Sequence, residues 1–247
     1  AQFKLKSAAT ASMAASTAQD VQPSKFGAFE MDAACLTTCG WGPSGAPGNG
    51  WHPAWGNFLN DSHGECGRPT FERFHMPDNG NSLFWYSFDY GSAHIIHMST
   101  EHDYTAGSPQ YQWLAKDLAS VNRQVTPWVV LAGHRPMYTS EDYPGDYNVS
   151  LGMQAAFEDL INQYQVDIAV WGHYHAYERT CAVYKQQCVT NGTINIVVGT
   201  AGFELDNVDW MPKVWSLNHT FAFGYGLLDF APSADQSTTT LTWQFYL

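Results

Sequence analysis

Two stretches of this chain have the same form, and together they constrain most of what it can fold into. Trp128-Val129-Val130-Leu131-Ala132 runs into Gly133-His134, and Val166, Ile168, Ala169 and Val170 lead through Trp171 into Gly172-His173-Tyr174-His175. Short, β-branched apolar runs read as buried strands. Runs that are apolar on both faces belong in the middle of a covered sheet. Glycine then breaks each strand and lets the backbone turn tightly. Neutral imidazole is the commonest protein ligand for metal ions. Two strand ends that each deliver histidine are how an open α/β sheet builds a site at its carboxyl edge. His134, His173 and His175 are therefore the candidate metal ligands. A lone histidine at a strand end is more often a capped or solvated residue, and only the repetition lifts these three above that reading.

The rest of the chain supports layered α/β architecture, because strands and helices alternate. Ser82–Asp89 and His94–Ser99 read as two strands joined by a hairpin turn at Tyr90-Gly91-Ser92. His94 and His97 fall on opposite faces of the second strand, which favours structural roles for both. Glu101-His102-Asp103 is either a polar strand end or part of a pocket lining. Ser108-Pro109 is a helix start, and Tyr111, Leu114, Ala115 and Leu118 form the stripe that packs. A polar, Tyr-rich loop is expected over 138–148. Phe157, Leu160, Ile161 and Tyr164 form the buried face of the next helix. Ile194–Gly199, Gly226–Phe230 and Thr238–Tyr246 are further strands. Ala1–Gln22, rich in Ala, Ser and Thr, suits a helix, a linker or a disordered arm, and Leu36–Asn60 is crowded with Gly, Pro and Trp.

Charge narrows the partners. The net charge is −12 with 11 basic residues, which speaks against a nucleic-acid or anionic-membrane surface. Phosphate substrates remain open, since a bound metal supplies local positive charge. Asn60, Asn148, Asn191 and Asn218 each head an Asn-x-Ser/Thr sequon. The five cysteines suit an oxidising compartment. Cys181 and Cys188 flank a hairpin and are expected to pair. Cys35, Cys39 and Cys66 leave two pairings open, Cys35 with Cys39 or one of them with Cys66. An extracellular, secreted or vacuolar glycoprotein is the reading that fits. The sequence shows no hydrophobic signal segment at its start, so that reading takes the chain as mature or cut.

Gly133-His134-Arg135-Pro136-Met137-Tyr138 and Gly172-His173-x-His175-x-Tyr177-Glu178-Arg179 resemble the last two metal motifs of the purple acid phosphatases, within the metallophosphoesterases. Gly64-Glu65-Cys66-Gly67, Arg73-Phe74-His75-Met76-Pro77, the stretch from Phe84 to Gly91 and the stretch from Ser99 to Tyr104 are similar to that family too. The resemblance runs from about Trp51 to Leu247. It divides the chain into a non-matching arm and loop over 1–50 and a carboxyl-terminal half-domain over 51–247. It implies an incomplete αββα sandwich with mixed sheets, and a dinuclear metal centre of iron with zinc, manganese or iron that hydrolyses phosphomonoesters. His134 and His173 would bind the divalent ion and His175 the ferric ion, while Tyr177, Glu178 and Arg179 would brace the turn.

The family's Asp, Gly-Asp-x-x-Tyr and Gly-Asn-His-Glu motifs have no counterpart in this sequence. Asn49-Gly50-Trp51-His52 has the wrong spacing for the last of them. Two readings follow. In one, this is a phosphatase-like chain that is inactive alone and is completed by a second polypeptide or by copies of itself. In the other, it is a non-catalytic extracellular assembly protein that reuses the fold.

Overall fold

The computed structural model describes residues 73–77, 84–142, 147–232 and 239–247. The arm and loop over 1–50, the motif at Gly64–Gly67, Cys35, Cys39, Cys66 and Asn60 lie outside the described residues.

The main sheet has the order β1-β2-β3-β4-β7-β5-β6, with β8 also paired to β5. Strands β1 (Tyr86–Tyr90) and β2 (Ala93–His97) form the expected hairpin. Strands β3 (Trp128–Ala132), β4 (Ile168–Trp171) and β7 (Thr193–Val198) follow β2 in parallel. Beyond β7 come the antiparallel β5 (Tyr177–Tyr184), β6 (Gln187–Cys188) and β8 (Ser216–Thr220). A Cys181–Cys188 disulfide ties β5 to β6, as their hairpin spacing suggested.

Both faces of the central strands are covered within the chain. In β3, Val129 and Leu131 point to one side, and in β4, Ala169 and Trp171 do the same. There they join Leu114 and Leu118 of helix α1 (Pro109–Ser120) and Val149, Met153, Phe157 and Ile161 of helix α2 (Tyr147–Gln163). Val130, Ile168 and Val170 point the other way, onto the two-stranded sheet of β9 (Tyr225–Pro232) and β10 (Thr239–Tyr246). Leu228, Leu241, Trp243 and Phe245 make that contact, and Tyr177 stacks on Phe245 with ring centroids 4.0 Å apart. Strands that are apolar on both faces thus lie inside a layered fold, as their sequence requires. The β9–β10 sheet covers that second face within the chain.

Local chemistry explains the helix ends. Ser108 Oγ accepts from Tyr111 N at 3.1 Å, and Pro109 takes the first turn, where no amide is needed. Helix α2 takes in Tyr147 and Asn148, which the polar sequence had suggested for a loop. It closes where Gln165 enters the left-handed region at φ 54° and Val166 N bonds Ile161 O. Just beyond, Asp167 Oδ2 accepts from Val129 N at 2.8 Å and from Arg123 Nη1 at 2.6 Å. One carboxylate therefore sets the level at which β3 and β4 start, and their carboxyl ends finish together.

Candidate active site

The ladder between β3 and β4 continues past the strands. Gly133 N donates to Val170 O at 3.1 Å, and Gly172 N donates to His134 O at 2.8 Å. These bonds carry His134 and His173 to the same edge. Their rings meet edge to face with centroids 4.9 Å apart, and His134 Nε2 lies 3.2 Å from His173 Nδ1. Trp171 holds the two glycine turns together from below. It is fully buried, its Nε1 donates to Asn195 Oδ1 at 2.9 Å, and a Cβ on Gly133 would come within 2.8 Å of its ring.

His173 itself has φ 67°, a region that non-glycine residues enter at a cost and that clusters at functional sites. This turn is clamped from above. Tyr174 N bonds Gly172 O, and the Tyr174 carbonyl presses against Gly199 at the end of β7. His175 follows. Its amide donates to Asp206 Oδ2 at 2.6 Å, its ring lies edge-on to Phe203, and its Nδ1 is buried without a hydrogen-bond partner. His134 Nδ1 is buried and unpartnered as well. Burial, followed by the neighbouring His173, Arg135 and His175, holds the His134 imidazole well below the usual histidine range, so it is neutral.

Arg135 enters the site from the residue after His134. Its Nε donates to Glu101 Oε1 at 2.8 Å in a pair with both side chains under a tenth exposed. Its Nη1 lies 3.2 Å from His173 Nε2. Thr100 Oγ1 accepts from Arg135 N and donates to Glu101 Oε1, which fixes the pair further. Glu101 is thus part of the site's wall, while His102 turns away to bond Ser99 Oγ and to lie against Phe84 and Trp85. His94, between Asp89 and Asp117, sits at the opposite end of β2 and ties the hairpin to α1.

Glu178, which the resemblance casts as a brace of the turn, instead fastens the loop after His134. Its carboxylate accepts from Ser140 N at 2.8 Å and Ser216 Oγ at 2.6 Å, joining the loop after His134 to β5 and β8. Sequence reasoning missed its neighbour Glu141. That side chain is wholly buried, neither oxygen meets a donor, and it faces the carboxyl of Asp206. Burial, then Asp206, then the charge of Glu178 push it up to about 9, so Glu141 is protonated at neutral pH.

The sequence profile of the calcineurin-like phosphoesterases matches residues 41–177, more than half of the chain, and the chain belongs to that family. Several of its relatives are named purple acid phosphatases. It is 38% identical over 189 residues to an Arabidopsis thaliana protein named probable inactive purple acid phosphatase 27, covering 70% of this chain and 31% of that one. It is 34% identical over 189 residues to a Hordeum vulgare nucleotide pyrophosphatase/phosphodiesterase, covering 70% of this chain and 51% of the relative. Among solved structures it superposes on purple acid phosphatase from yellow lupin seeds with a TM-score of 0.64 at 34% identity, over 79% of this chain and 36% of the other. The chain spans about a third of the length of the Arabidopsis relative.

The histidine pair meets one requirement of a metal site and fails another. Two nitrogens about 2.0–2.1 Å from one ion stand roughly 3 Å apart, which the 3.2 Å separation suits. A ligating histidine, however, gives its other ring N–H to an acceptor, and His173 meets a guanidinium there, a group that only donates. Among the described residues no three His, Cys, Asp or Glu side chains group to hold an ion. These residues do not fit the family's dinuclear centre as they stand.

Proposed function

We propose that this chain is a secreted, phosphatase-like glycoprotein that carries part of a purple acid phosphatase site and hydrolyses phosphomonoesters poorly by itself. The observation that carries the reading is the meeting of His134 and His173 at the carboxyl ends of β3 and β4, within a purple acid phosphatase relationship. The family's dinuclear centre would supply the activated water and the charge that hydrolysis needs. His134, His173 and His175 are, by resemblance, the counterparts of three of its ligands. Further oxygen donors would have to come from elsewhere, from another polypeptide or another copy of this chain. The β9–β10 sheet pairs with no third strand among the described residues, which leaves edges where a partner strand could add. Relatives whose names mark them as inactive support the low turnover.

A second reading, a non-catalytic assembly protein, is favoured by the guanidinium on His173. Both readings agree with secretion. Asn148, Asn191 and Asn218 are exposed, and no helix among the described residues is long and apolar enough to cross a membrane.

One preparation tests the proposal. The protein, secreted from eukaryotic cells and supplied with iron and zinc, is assayed on an aryl phosphate at acidic pH. Turnover near background and a colourless solution are expected. A visible charge-transfer band, with turnover abolished by His175→Ala, would overturn the proposal. Glycosidase digestion of the same sample should lower its mass by the glycans of at least two of Asn60, Asn148, Asn191 and Asn218.

A further inference from the structure

Arginine has five N–H donors and no acceptor. The 3.2 Å contact from Arg135 Nη1 therefore requires a lone pair on His173 Nε2. A neutral imidazole with a bare Nε2 carries its proton on Nδ1. That proton points at His134 Nε2, 3.2 Å away, which must accept it. The order runs from Glu101 through Arg135 and His173 to His134, and each step leaves only one direction for the hydrogen bond.

This order is incompatible with His173 as a metal ligand through either nitrogen. At Nε2 the guanidinium already occupies the lone pair. Binding at Nδ1 would move the ring proton to Nε2, where it would face the Arg135 N–H at hydrogen-bond distance, donor against donor. In either case Arg135 must withdraw. It is held in place by Glu101 Oε1 on its Nε and by Thr100 Oγ1 on its backbone amide, with both charged side chains buried. A buried ion pair resists opening because each partner would be left uncompensated.

We infer that Arg135, anchored by Glu101, is the resident cation of this site and excludes metal from the His134–His173 pair. The inference rests on taking that pair as the family's metal position, but it is tested by metal affinity and tautomer rather than by turnover.

Zinc alone is titrated calorimetrically into the full chain and into Arg135→Gln, whose amide oxygen can accept a proton from His173 Nε2. Binding at the pair should tighten by roughly tenfold or more in the variant, with the His173 ring signals moving in nitrogen-15 spectra. Equal affinity in the folded variant, or zinc already bound tightly at His173 in the unaltered protein, would overturn the inference. If Arg135→Gln fails to fold because Glu101 is stranded, the Glu101→Gln/Arg135→Gln pair removes that charge, and the same affinity comparison applies. The unaltered protein supplies an independent reading. Its nitrogen-15 spectrum should show His173 protonated at Nδ1, and protonation at Nε2 instead would sink the inference.

Discussion

Gly199→Ala will destabilise the protein by about 3 kcal/mol or more and disperse the turn that carries His173 and His175. A Cβ at residue 199 would stand 1.9 Å from the Tyr174 carbonyl oxygen and 2.8 Å from its carbon. Both are backbone atoms, so no side chain can swing aside to make room. Gly199 N also donates to Ala176 O at 3.1 Å, which binds the end of β7 to the far side of the same turn. Overpacking usually costs less because side chains yield. Here the element that must yield is a backbone already held at a positive φ by His173. Urea denaturation of the variant beside the unaltered chain checks this. A midpoint within error of the original would mean that the turn and β7 do not touch as described.

The second large effect is a gain. Glu141→Gln should stabilise the protein increasingly as pH rises. Glu141 has an ordinary value of 4.5 and is pushed up to about 9 by burial, by Asp206 and by the charge of Glu178. The folded state therefore prefers the protonated acid. That contribution is whole below the unfolded value and is lost as pH climbs towards the folded one. Each pH unit in that window costs about 1.4 kcal/mol, so the native state gives up on the order of a few kcal/mol by pH 8. Glutamine keeps the shape, cannot ionise, and offers its amide to Asp206. The variant and the unaltered protein should unfold almost alike near pH 4 and diverge at pH 8, with the variant more stable. An offset of the same size at both pH values would show that Glu141 does not titrate in its buried position.

Much of the framework was legible because it rests on local signals. β3 and β4 announce themselves through two-sided apolar runs, α1 through Ser108-Pro109, and the disulfide through the short gap between Cys181 and Cys188. The His134–His173 meeting followed from one pattern occurring twice. β8 was not legible, because Ser216–Thr220 is largely exposed and gains its strand form only from pairing with β5. Glu141 was invisible for another reason. Its character comes from Asp206 and Glu178, and nothing in Thr139-Ser140-Glu141-Asp142 marks it as buried. Arg135 could be read as part of a motif, yet its contacts with Glu101 and His173 span 34 and 38 residues. The hairpin of β9 and β10 was foreseen as two strands, while its role as cover for Val130 and Ile168 depends on tertiary packing.

β3 and β4 bring His134 and His173 into contact at one sheet edge. The most direct test is a nuclear Overhauser measurement between the two imidazole rings in the selectively labelled full chain. Rings with centroids 4.9 Å apart should give a strong cross-peak that disappears in His134→Ala. Two assigned ring systems with no cross-peak between them would contradict the account.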